Sequence, residues 1–164
     1  MLVAMKKSPS HVSFDPERLA VQYYFGDLSY WHLPAISAEA LQHNFDGPAL
    51  RRLAGLINPV ARDIRLQEID SAFREMGVKA PIPKEEARLA LATEAVTRAM
   101  SGESNIFNEA THIRVHLCEW HKAPPALRTI VAVSQEAEHA PPGKWEKLEH
   151  DLRAAMSVFL GTRR

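Results

Sequence analysis

A proline just inside a helix start, or a glycine just past a helix end, marks this chain along its whole length, and that punctuation points to an all-α fold. In "FDPERLA", Asp15 is placed to cap a helix whose first residue is Pro16. Glu17 follows where the positive end of the helix dipole favours an acid, and Phe14 and Leu19 stand at the two positions of a hydrophobic staple. The helix is expected to run to Phe25, with Gly26 and Asp27 as its break. Pro34 opens a second, short helix through "AISAEALQHN", and Asp46-Gly47-Pro48 separates off a third in "ALRRLAGL".

Asn58-Pro59 repeats the cap-plus-proline signature and is expected to begin a longer segment. In it Ile69, Ala72, Phe73 and Met76 form one apolar stripe at helical spacing. Gly77 fits the position past the helix end, with Val78 closing back on Phe73 in a Schellman motif. "PIPKEEARLALATEAVTRAMSG" carries acids in its first turn, Arg98 in its last and Gly102 as a stop, with Leu89, Ala92, Val96 and Ala99 facing inward. A further helical segment spans Ile106 to Trp120, another carries Leu127, Ile130, Val131 and Ser134, and a C-terminal helix presents Trp145, Leu148, Leu152 and Phe159 to the core. "RTIVAV" has some strand propensity but is framed by helix-type spacing. The expectation is one compact all-α domain over residues 14–164, of seven or eight helices, bundle-like with short N-terminal helices packed across it. Residues 1–13 are expected to form a flexible segment preceding it.

Composition narrows the function classes. With 46 % apolar and 24 % charged residues the 164-residue chain has ordinary globular proportions, which argues against disorder throughout. Twenty basic and twenty acidic side chains cancel, so the basic stripe that neutralises phosphates is missing, and neither a nucleic-acid nor a membrane-surface partner is expected. The one long helix that resembles half of a helix-turn-helix starts with Glu85 and Glu86, which repel a phosphate backbone. No run approaches the roughly 18 apolar residues of a membrane span. In "MLVAMKKSPS" the lysines follow the apolar run, the reverse of a signal peptide, and a lone cysteine forms no internal disulfide. A cytoplasmic location is the expectation.

"HIRVHLCEWH", His112 to His121, is the stretch richest in potential chemistry. On a regular helix each residue turns about 100°, which puts Ile106, Ile113, Leu117 and Trp120 on the buried face and Glu109, His112, His116 and Glu119 on a stripe beside it. Cys118 and His121 fall elsewhere. His112 and His116, four apart, have the spacing that clamps zinc or another divalent transition metal from one helix face, with Glu109 as a third ligand. The residue where a His-Glu-x-x-His peptidase has its base is Ile113, so that hydrolytic route is closed. Two Glu-x-x-His motifs, Glu109/His112 and Glu136/His139, evoke a di-metal bundle, but Glu136 and His139 point away from the apolar face of their helix. The competing reading is a solvated flank of Glu–His pairs, and missing partners favour it.

Other catalytic constellations are absent from the pattern. There is no phosphate-cradling glycine loop and no Gly-x-Ser-x-Gly elbow. Nothing local activates Cys118, which reads as a small core residue. The chain therefore leans away from catalysis. Seven of the twelve aromatics, by contrast, lie before residue 46. Tyr23, Tyr24 and Phe25 are consecutive and cannot share one buried face, so at least one ring is expected outside the core or against another subunit. Tyrosine and tryptophan are enriched at protein interfaces, which makes Tyr23, Tyr24, Tyr30 and Trp31 the candidate partner-binding residues.

The runs "ALRRLAGL", "EIDSAFREMGVKAPIPKEEARLALATEAVTRAMSG" and "CEWHKAPPALRTIVAVSQEAE" resemble small all-helical bacterial proteins of uncharacterised families, over roughly residues 48–160. The resemblance lies in helix-boundary residues and apolar spacing. It implies a helical bacterial cytosolic protein and carries over no activity and no functional residue. The function expected from the sequence is association with a partner protein or a second copy. The alternatives are metal binding at His112, His116 and Glu109, and a small-ligand or enzymatic site formed only between helices.

Overall fold

The first helix, α1 (Pro16–Phe25), begins and ends where its local chemistry requires. The Asp15 carboxylate accepts from the Arg18 backbone N–H at 3.1 Å, and Gly26 closes the far end in the left-handed region at φ 114°. There follow α2 (Leu33–Gln42), α3 (Pro48–Ala54), α4 (Leu66–Glu75), α5 (Lys84–Ser101), α6 (Ile106–His112), α7 (Arg128–Glu138) and α8 (Trp145–Thr162). The computed structural model describes residues 14–118 and 122–163, and every regular element among the described residues is helical. The protein is all-α. The expectation for residues 1–13 lies outside the described residues. At finer grain the helices gather into two compact units, one described from Phe14 to Ile82 and the other from Pro83 onward.

In the first unit α3 packs against both α2 and α4. Its core joins Ala20, Leu33, Ile36, Leu50, Leu53, Ile69 and Phe73, with Tyr23, Tyr24, Tyr30 and Phe45 partly buried against it. Phe14 lies on this core, its ring stacked on His43 at 5.0 Å and tilted against Phe45 at 5.9 Å. The expected Schellman end of α4 is present. Val78 N–H donates to Phe73 C=O at 3.0 Å and Gly77 N–H to Arg74 C=O at 2.9 Å, with Gly77 at φ 82°.

One expected start moves. The helix does not begin at Asn58-Pro59 but at Leu66. Asn58 takes φ 48°, a left-handed conformation that asparagine tolerates, and so turns the chain instead of opening a helix. A short 3₁₀ turn at Ala61–Asp63 follows, in which the Val60 N–H donates to the Asp63 carboxylate at 2.9 Å.

In the second unit α6 packs against α5, α7 and α8, and α8 against α5 and α7. The long helix α5 turns in Ala87, Ala92, Ala95, Val96 and Ala99, small residues that let a neighbouring helix approach closely. Ile113, Leu117, Leu127, Ile130, Leu148, Leu152, Met156 and Phe159 supply the bulk of the core.

Two features of this unit depart from the helical spacing of the sequence. Trp145 is 51 % exposed, not inward-facing. It is the first residue of α8, its indole N–H donates to Ala140 C=O at 3.2 Å, and its ring lies 5.5 Å from Phe107 at the unit's edge. The segment from Ile106 is also not one regular helix. After His112 it widens into a π-helical turn, Ile113–Leu117, and ends at Cys118 in extended conformation, where the Cys118 N–H donates to Ile113 C=O at 3.0 Å. Glu119, Trp120 and His121 lie outside the described residues.

Candidate interaction surface

Trp31 owes its position to a turn closed by its neighbours. The Ser29 N–H donates to His32 Nδ1 at 3.0 Å, and the His32 N–H returns to Ser29 C=O at 3.0 Å. This holds Tyr30–His32 in a single 3₁₀ turn ahead of α2. Tyr30 packs partly into the core and meets Trp31 edge-to-face at 5.2 Å, which props the indole in a position where it stays 59 % exposed. Such an arrangement fixes the ring without burying it.

Facing Trp31 is the chain that leaves α3. Trp31, Pro34 and Ala35 form one wall of a cavity of about 370 Å³, and Leu56, Asn58 and Pro59 form the other. The left-handed turn at Asn58 is what brings this wall round, and it leaves Ile57 89 % exposed. Val60, one residue beyond Pro59, is exposed as well. An indole and an isoleucine held out in water beside two half-buried prolines present apolar area with little conformational entropy left to lose.

The other two candidate residues are placed differently. Tyr23 and Tyr24 are half-buried, their rings 5.8 and 5.6 Å from Phe73 and 5.4 Å from each other. The Tyr24 hydroxyl donates to the Asp70 carboxylate at 2.5 Å, fastening α1 to α4. Burial, then this hydrogen bond, push the Tyr24 phenol above its ordinary value of 10; burial and the Asp70 charge do the same for Tyr23. Both phenols stay protonated, so Tyr24 remains a donor. The structure thus brings Tyr30 and Trp31 together at the surface and commits Tyr23 and Tyr24 mainly to packing. Ile57, Asn58 and Pro59 were missed because cap-plus-proline spacing reads as a helix start; the signal for a turn was the asparagine itself.

The histidine segment separates in the same way. His112 and His116 are exposed, with rings stacked at 5.0 Å. Glu109 is buried and turned to Arg98, whose Nε and Nη2 donate to its two oxygens at 3.0 Å each. Burial raises the Glu109 carboxyl, but hydrogen bonds and neighbouring positive charge, Arg98 foremost, together outweigh it and leave the net value below the ordinary 4.5. A carboxylate held at both oxygens by a guanidinium is a poor third ligand for a metal on His112 and His116. Among the described residues, no three His, Cys, Asp or Glu side chains gather to hold an ion.

The π turn also carries Arg114 inward. It is 4 % exposed, with Nη2 at 3.0 Å from Glu138 and Nε donating to Ser134 Oγ at 3.3 Å. Cys118 is buried, and burial pushes its thiol up against a smaller lowering by the Arg88 charge, which makes it a weak nucleophile.

No family model, no curated protein and no solved structure matches the chain. Among the described residues no helix is long and apolar enough to cross a membrane.

Proposed function

We propose that this protein acts by protein–protein association, with Trp31 as the anchor of the docking surface. The observation that carries the reading is an indole 59 % exposed yet fixed by Tyr30, facing Pro59 beside a fully outward Ile57. Rigid, exposed aromatic rings beside apolar side chains are the usual anchors of interface energy. The occupant is a partner protein or a second copy of this chain. The balanced charge and the lone, buried cysteine support a cytoplasmic setting, and the resemblance of its helix boundaries supports a bacterial one.

A photo-crosslinking residue placed at exposed Ala35, which lines the same cavity and leaves Trp31 intact, tests this in the source cell. A discrete crosslinked species is expected at 35 and not at exposed Arg153, and Ile57→Asp is expected to abolish it while the circular dichroism spectrum is unchanged. Sedimentation velocity then distinguishes a second copy from another protein. A folded protein that yields no discrete species at position 35 overturns the reading.

A further inference from the structure

A second concave feature lies wholly within the second unit. Between α7 and α8 runs an open cavity of about 680 Å³. Thr129 and Val133 line it from α7, and Asp151, Ala155, Val158 and Phe159 from α8. The four α8 positions recur at helical spacing and so form one face of that helix. Phe159 and Ala155 are buried in its lining, and Val158 stands 67 % exposed. Sites of this kind, between helices and a few hundred Å³ in size, are where bundles take small molecules.

Its polarity is lopsided. Asp151 is the one charged side chain among the lining residues, and it makes no hydrogen bond or ion pair with another described residue. A lone carboxylate at the edge of an apolar trough disfavours an anion and favours a cation with a hydrocarbon body. We propose that the α7–α8 groove binds a small amphipathic cation, an alkyl- or aryl-ammonium. Its apolar body lies over Phe159 and Ala155 and its ammonium group at Asp151.

The full chain titrated with decylammonium and decanoate below their micelle concentrations, and with decanol below its solubility limit, tests this by two-dimensional NMR of the backbone amides. Decylammonium is expected to give saturable shifts at Thr129, Val133, Asp151, Ala155 and Val158. Decanol is expected to bind about fivefold more weakly, the worth of one partly exposed ion pair, and decanoate more weakly still. Asp151→Asn should equalise the ammonium and the alcohol while leaving the alcohol's affinity unchanged. Ala154→Phe, at an exposed lining position, should block all three. Absence of saturable shifts with decylammonium, or equal affinity for decanoate, overturns the proposal. So does an ammonium preference that survives in folded Asp151→Asn.

Discussion

The two units hold helices together by different means. The first is built from helices of seven to ten residues, the second around two of eighteen. Short helices are marginal by themselves, and most of their stability comes from what they pack against. The first unit accordingly leans on rings and on capping from a distance. Tyr23 and Tyr24 close on Phe73, and the Glu75 carboxylate at the end of α4 accepts from the Ala49 and Leu50 N–H groups at the start of α3, 3.1 and 2.9 Å away. Gly47 makes room for that cap, since a Cβ there would stand 2.1 Å from the Glu75 carboxyl carbon. The second unit relies on alanine-lined close packing and on two arginines, Arg98 and Arg114, each paired with a glutamate from a neighbouring helix. The contrast teaches that aromatic mass substitutes for helix length.

The largest test of that contrast is Phe73→Ala. Removing a fully buried ring is expected to cost about 3–5 kcal/mol, read by denaturant titration. Amide exchange protection should fall in residues 14–82 and persist in 83–163; a uniform loss would break the distinction between the units.

Glu109→Gln sharpens the other side, because it leaves Arg98 without its bidentate partner. A loss of about 2 kcal/mol at pH 7 is expected. The Glu109 carboxyl lies below its ordinary 4.5 when folded, so its stabilisation is complete above pH 4.5 and disappears as pH falls through the folded value. Wild type and variant should therefore converge in acid, which a urea midpoint series across pH would record.

Glu75→Ala, which removes the cap of α3, should cost about 1–2 kcal/mol. Gly47→Ala should match it, because the new methyl displaces the same carboxylate; a harmless Gly47→Ala would show that Glu75 caps α3 from another rotamer. Tyr24→Phe deletes only the hydroxyl that reaches Asp70, an expected loss of about 1 kcal/mol in thermal unfolding. The smallest stability effect belongs to Trp31→Ala, within about 0.5 kcal/mol, because its ring faces water. A large loss there would make Trp31 a packing residue and remove the anchor of the proposed surface.

Much of the fold was legible because helix ends are written locally. Asp15, Gly26, Gly77 and Gly102 each act within a few residues of themselves, through a side-chain cap or a left-handed backbone that any observer can place from spacing. The candidate site was legible only by half. The cluster of aromatic residues before residue 46 signalled an interface, but spacing gave no means to separate Trp31, which stays out, from Tyr24, which finds Asp70 forty-six positions away.

That this chain is helical, and where most of its helices stop, can be read from residue order alone, since propensity and capping act over a turn or less; its charge balance is a sum over residues and needs no fold at all. Which residues meet is a matter of helix packing. It gave Glu109 to Arg98 instead of to the histidines, widened one turn so that Arg114 reaches Glu138, and set Asn58-Pro59 across a cavity from Trp31. Those pairings depend on how one helix lies on another, and helix packing is set by the sum of many small contacts that no local spacing records.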